Sequence, residues 1–168
     1  MGEEHPAINL QVLDPSRRRL VPGDVFVAQP RGYEYLFGRV IRTDAALFGS
    51  GNILVYFYDA WSADPTVIPA LSSSNLLIPP MVTNRLGWSR GYFQHVASRE
   101  LGPSDVLPVH CFVTNIYRDG PRYFDEYNRP LPGPVPPVGE RGLHSYRTID
   151  DLISDALAMA RAPESDDA

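Results

Sequence analysis

Ile53-Leu54-Val55-Tyr56-Phe57-Tyr58-Asp59 is the stretch that decides the fold. Six apolar or aromatic residues run without a polar break, and the loop Phe48-Gly49-Ser50-Gly51-Asn52 bounds them upstream. The run is short for a buried helix, and a strand of this kind, lacking polar alternation, is covered on both faces. It predicts a central strand. Working outward, Val21-Pro22-Gly23-Asp24 is a turn that feeds Val25-Phe26-Val27-Ala28, a β-branched and aromatic strand. A further strand is expected over residues 33–41, with Gly38 marking a bulge or a close backbone approach.

Downstream, Pro65, Pro69, Pro79 and Pro80 exclude a long helix through residues 60–81 and leave short extended pieces such as 76–78. Residues 92–97 and 109–117 read as strands. Asp119-Gly120 predicts a two-residue hairpin into residues 122–127, and Pro121 places the returning strand at an edge. Five prolines within residues 130–137 make an extended connector laid over the surface.

The last element is helical. Ile149, Leu152, Ile153, Ala156, Leu157 and Ala160 form one apolar stripe. Thr148 is the expected N-cap, with Asp151 three positions on. Asp150 and Asp151 fall in the first turn and Arg161 in the last, and the stop comes near Ala162, ahead of Pro163. About six strands and one helix give an α+β domain, mainly β. The expected form is a curved antiparallel sheet or small open barrel with the C-terminal helix packed on it. Residues 20–162 form this single domain, 1–19 an N-terminal extension and 163–168 an acidic tail.

Charge narrows the function classes. The net charge is −5, but Glu3, Glu4, Glu164, Asp166 and Asp167 sit at the ends. Of 20 acids that leaves fifteen, against 15 bases, so the body is formally neutral. Such a body argues against nucleic acid as a partner. Residues 1–13 carry two acids and no base, the wrong pattern for a secretory signal, and no apolar run approaches the roughly 20 residues that span a bilayer. The single cysteine, Cys111, suits a reducing compartment and reads as a small buried hydrophobe. The expectation is a cytoplasmic protein without membrane contact.

No reactive centre is legible. His95 and His110 fall in strands and can meet across a sheet; with Asp105 or His144 they are the candidate metal ligands, against ordinary strand and loop positions. His110 and Cys111, adjacent on a strand, point to opposite faces and cannot pair. Catalytic residues are therefore unassigned and no cofactor is expected. Arg17-Arg18-Arg19 is either a solvated charge run or a contact for phosphate or acidic protein. Trp88, Arg90 and Tyr92, with His144 and Arg147, combine aromatic and arginine chemistry beside loops, as binding hot spots do. The alternative for Trp88 and Tyr92 is packing against an open end of the sheet.

Taken in order, several segments resemble a known bacterial family. They are Pro22-Gly23-Asp24-Val25-Phe26, Phe37-Gly38-Arg39-Val40, Asn84-Arg85-Leu86-Gly87-Trp88, Gly91-Tyr92-Phe93, Tyr123-Phe124-Asp125-Glu126-Tyr127 and Gly142-Leu143-His144-Ser145-Tyr146-Arg147-Thr148-Ile149-Asp150-Asp151. The set, spread over residues 20–158, is similar to the immunity protein 26 family, whose label also includes a small phosphotriesterase of the HocA type. The resemblance implies a mostly-β fold and neutralisation of a cognate toxin domain of a polymorphic toxin system by direct binding. The rival it implies is hydrolysis of organophosphate esters, and it brings no catalytic residue set onto these positions.

Overall fold

A computed structural model describes residues 8–163. Gly23, at φ +97°, turns the chain into β1 (Asp24–Ala28), which pairs antiparallel with β2 (Tyr35–Ala45). β2 pairs in turn with β3 (Asn52–Ser62), and β3 with β4 (Leu76–Thr83). After a single helical turn, α1 (Leu86–Ser89), strand β5 (Gln94–Ser98) returns to the far side of β1. A smaller sheet follows, from β6 (Cys111–Thr114), β7 (Arg122–Phe124), β8 (Pro130–Leu131) and β9 (Val138–Glu140), in the order β8-β7-β6-β9. β10 (Leu143–His144) then pairs parallel with β4, giving the six-stranded order β10-β4-β3-β2-β1-β5, and α2 (Tyr146–Ala156) ends the regular structure.

The fold is α+β and mainly β, in two sheets that do not close into a barrel. β3 lies inside the larger sheet, and residues 53 to 58 are all at most 1% exposed. Because strand side chains alternate, this one strand supplies two cores. Ile53, Val55 and Phe57 pack with Phe26, Trp88, Phe93 and the α2 residues Tyr146, Ile149 and Ile153. Leu54, Tyr56 and Tyr58 face the other way, toward Val25, Val27, Phe37 and the β6 residue Phe112. The large sheet is thus the middle layer, with α2 on one face and the small sheet on the other. Each fully buried large side chain contributes about 1.5–3 kcal/mol relative to exposure.

Gly38 is a close approach: a Cβ there would lie 2.4 Å from the Phe26 ring. The register between β2 and β3 also shifts beside it. β4 continues through Pro79 and Pro80, where only short extended pieces such as 76–78 were expected. The ladder slips there, with Ile78 opposite Phe57 and Met81 opposite Val55, so two residues without N–H groups are accommodated at an irregularity.

Other expectations are corrected. Asp119-Gly120 is not a two-residue hairpin: the last pair before the loop is Thr114↔Arg122, and the connection between them includes Pro121. β7 is flanked by β6 and β8, so the edge is β8, not the strand after Pro121. The proline-rich connector links the two edges of the small sheet, β8 and β9. α2 is capped by Ser145, whose hydroxyl accepts from Thr148 N at 3.2 Å, so the helix begins three residues earlier than Thr148 capping implies. Asp150 then falls in the second turn and faces inward, 1% exposed. The helix stops at Ala156 because Ala158 takes φ +55° and Met159 N bonds back to Ser154 O at 2.9 Å. Arg161 lies beyond it and pairs with Asp155 at 2.6 Å.

The stretch ahead of residue 20 also contributes to the body. Ile8 and Leu10 are buried in the helix-side core, and the Asp150 carboxylate accepts from Asn9 N and Leu10 N at 3.0 and 2.8 Å. The acidic residues beyond Pro163 lie outside the described residues.

Candidate partner-binding surface

The α1 turn and the loop after it are built by small residues. A Cβ on Gly87 would lie 2.3 Å from the Phe93 ring, and one on Gly91, at φ +87°, would lie 2.8 Å from Pro15. These contacts seat Trp88 inward, 3% exposed, with its ring 5.0 Å from Phe26 and 5.1 Å from Phe93 between centroids. Trp88 is therefore a packing residue. Arg90 follows at the C-cap of α1 and is exposed.

Tyr92 is half-buried and stacks on Tyr146, the first residue of α2, at 5.0 Å and 23°. Burial raises its phenol pKa, and Tyr146 adds to that, while the positive charges of Arg147 and Arg90 oppose it. Both guanidiniums thus act on one hydroxyl. Arg147, in the first turn of α2, is exposed. Three of the five residues singled out from sequence, Arg90, Tyr92 and Arg147, share one surface.

His144 does not join them. It is 6% exposed; its ring Nε2 lies 3.1 Å from Glu140 O, and its carbonyl accepts from Thr83 Oγ1 at 2.7 Å. It ties β10 to β4.

The candidate metal ligands are dispersed. His95 lies on β5 with Nδ1 3.9 Å from Asp24, in the large sheet. Burial lowers its pKa, Arg18 lowers it further, and Asp24 works the other way. Asp105 accepts from Gly102 N at 2.7 Å and approaches Arg39 at 3.7 Å. His110 directly precedes β6, in the other sheet, so the alternative in which the two histidines meet across one sheet does not hold. Among the described residues no three His, Cys, Asp or Glu side chains gather as a metal site.

His110 instead forms a chain invisible in the sequence. Its Nε2 lies 2.5 Å from the Tyr56 hydroxyl, and its Nδ1 contacts the Glu126 carboxylate. Burial pushes the Tyr56 phenol up to about 12, so it keeps its proton near neutral pH. Its oxygen also accepts from Leu107 N at 3.0 Å, so the phenol holds both that loop and the imidazole. A carboxylate, imidazole and phenol in series can relay a proton. Here the three residues are only 6%, 3% and 0% exposed, which leaves the chain joining the sheets rather than meeting a substrate.

The family model of immunity protein 26 matches residues 21–118, more than half of the 168 residues. The chain belongs to the immunity protein 26 family. No curated protein and no solved structure matches it. The family match takes in β1 to β6 and α1, and so includes Trp88, Arg90 and Tyr92 of this immunity protein 26 member. Arg147 and α2 lie outside the matched residues. No helix among the described residues is long and apolar enough to cross a membrane.

Proposed function

We propose that this protein is the immunity partner of a polymorphic toxin, acting in the cytoplasm by binding a cognate toxin domain directly. The carrying observation is that the exposed Arg90 and Arg147 both bear on the half-buried Tyr92, which stacks on Tyr146, in an immunity protein 26 family member. Arginine and tyrosine are hot-spot residues, and Tyr92 is held in place by its stack on Tyr146. A partly immobilised aromatic loses little freedom on binding, which favours affinity. The surface needs no reactive group: inhibition by occlusion asks for shape, charge and about 800 Å² of contact per partner.

Calorimetry with the purified toxin domain encoded beside this gene tests the reading. Tight stoichiometric binding is expected, with Arg90→Ala and Arg147→Ala each weakening it about tenfold, or ~1.4 kcal/mol. Unchanged affinity in both variants rejects the surface. Absence of binding by the unaltered protein rejects the immunity reading itself.

A further inference from the structure

Beside α1 the chain builds a cavity that shares none of the three residues of that surface. The strap ahead of β1 is pinned across the α1 turn, with Ser16 N donating to Trp88 O at 3.0 Å and Leu13 N to Gly91 O at 2.7 Å. Between strap and turn lies a cavity of about 320 Å³, lined by Ser16, Arg17, Arg18, Arg85, Trp88 and Ser89 together with Leu20. No carboxylate lines it. Arg17 and Arg85 are exposed and form no ion pair among the described residues, and Arg18 makes a long 3.5 Å bond to Ser98 Oγ. Trp88, 3% exposed, has an indole N–H without an acceptor among the described residues.

Three like charges around one cavity repel each other, and a buried N–H without an acceptor is costly. An anion relieves both. We propose that this cavity binds a phosphate monoester. A dianion matches clustered guanidiniums better than a single carboxylate does, and its tetrahedral oxygens can accept forked N–H bonds from several arginines at once. The Ser16 hydroxyl accepts from Arg18 N and keeps its own proton to donate, and Trp88, whose indole N–H has no acceptor among the described residues, lines the same cavity. The volume leaves room for an organic group beyond the phosphate. Binding here is independent of toxin recognition.

The chain has two tryptophans, so Trp61→Phe leaves Trp88 as the sole reporter. Glycerol phosphate and inorganic phosphate are titrated into that variant, with acetate and chloride at matched ionic strength as comparisons. The expected result is saturable change in Trp88 emission with both phosphates, tighter for the ester. Arg85→Ala and Arg17→Ala should each weaken it at least tenfold with an unaltered circular dichroism spectrum. Calorimetry on the unsubstituted protein repeats the measurement without relying on Trp61→Phe. An equal response to acetate or chloride, an unchanged response in both arginine variants, or no heat in the unsubstituted protein overturns the proposal.

Discussion

The Tyr56 hydroxyl and His110 Nε2, 2.5 Å apart, join the middle of the large sheet to the start of the small one. The same oxygen accepts from Leu107 N, so one phenol holds the loop ahead of β6 as well. Tyr56→Phe keeps the ring and removes the oxygen, leaving the buried His110 Nε2 and the part-buried Leu107 N without that partner. Leaving such groups unpaired costs about 1–3 kcal/mol. Urea unfolding is expected to show a lower midpoint with an unchanged slope, since the exposed area is the same. A midpoint equal to that of the unaltered protein would remove this bond from the forces joining the sheets.

Alkaline pH tests the same group from the other side. Burial raises the Tyr56 phenol from 10.0 to about 12, and burial raises Tyr58 as well. The folded state therefore holds these protons more tightly than the unfolded chain. The resulting stabilisation is fully present below pH 10 and is lost as pH rises toward the folded values. Melting temperature should fall between about pH 10 and pH 12, and Tyr56→Phe should fall less steeply over that range. Parallel declines in the two proteins would assign the effect elsewhere.

Much of the large sheet was legible because its signals are local. The unbroken apolar run at 53–58 implied two-sided burial, and the proline and glycine turns bounded the strands around it. The small sheet was less legible. Its hairpin cue, Asp119-Gly120, is a strong turn signal within a longer loop, and β8, at the start of the proline-rich connector, and β9, just after it, leave no pattern because they are two and three residues long. Ser145 and Thr148 are both competent caps; burial of Tyr146 against Tyr92 and the core selects the earlier start. The chain from Tyr56 through His110 to Glu126 was out of reach, because nothing local marks residues that meet only when two sheets pack.

Asp150 gives an acid-side prediction. Burial raises its carboxyl pKa; the N–H bonds from Asn9 and Leu10 pull it down, and Asp151 pushes it up. Since the folded value lies above the unfolded one, ionisation works against folding: the stabilising contribution is present below the unfolded value and lost as pH rises through the folded one. Asp150→Asn can keep both acceptor contacts through Oδ1, which Asn9 N and Leu10 N already share. Relative to the unaltered protein, the variant should gain stability as pH is raised from the acid side of the carboxylate range toward neutrality. Thermal unfolding at matched salt reads this, and a pH-independent difference would contradict the assigned direction.

Gly38 and Phe26 form a steric pair. The ring occupies the space a Cβ at position 38 would need, 2.4 Å away, in the interior of the sheet. Gly38→Ala is expected to cost about 1–3 kcal/mol, the range for overpacking a core. Phe26→Leu in the same chain frees part of that space, so the alanine should cost less in its presence. A double-mutant cycle by urea unfolding measures the coupling, and strict additivity would show that the ring does not set the constraint.

Buried and exposed members of the aromatic and arginine set should separate in two measurements. Trp88 packs among Phe26 and Phe93, so Trp88→Ala should lose about 3–5 kcal/mol of stability, the usual range for such truncations. His144→Ala should also act through stability, because its ring lies buried at the β10 to β4 join. Arg90→Ala, with an exposed side chain, should leave thermal unfolding within about 0.5 kcal/mol of the unaltered protein and change toxin affinity instead. Tyr92→Phe tests the hydroxyl on which both guanidiniums act, and it keeps the ring that stacks on Tyr146. If that oxygen contacts the toxin, affinity falls and the melting temperature holds. If the melting temperature falls and affinity per folded molecule holds, Tyr92 belongs with Trp88 as packing, and recognition rests on the arginines alone.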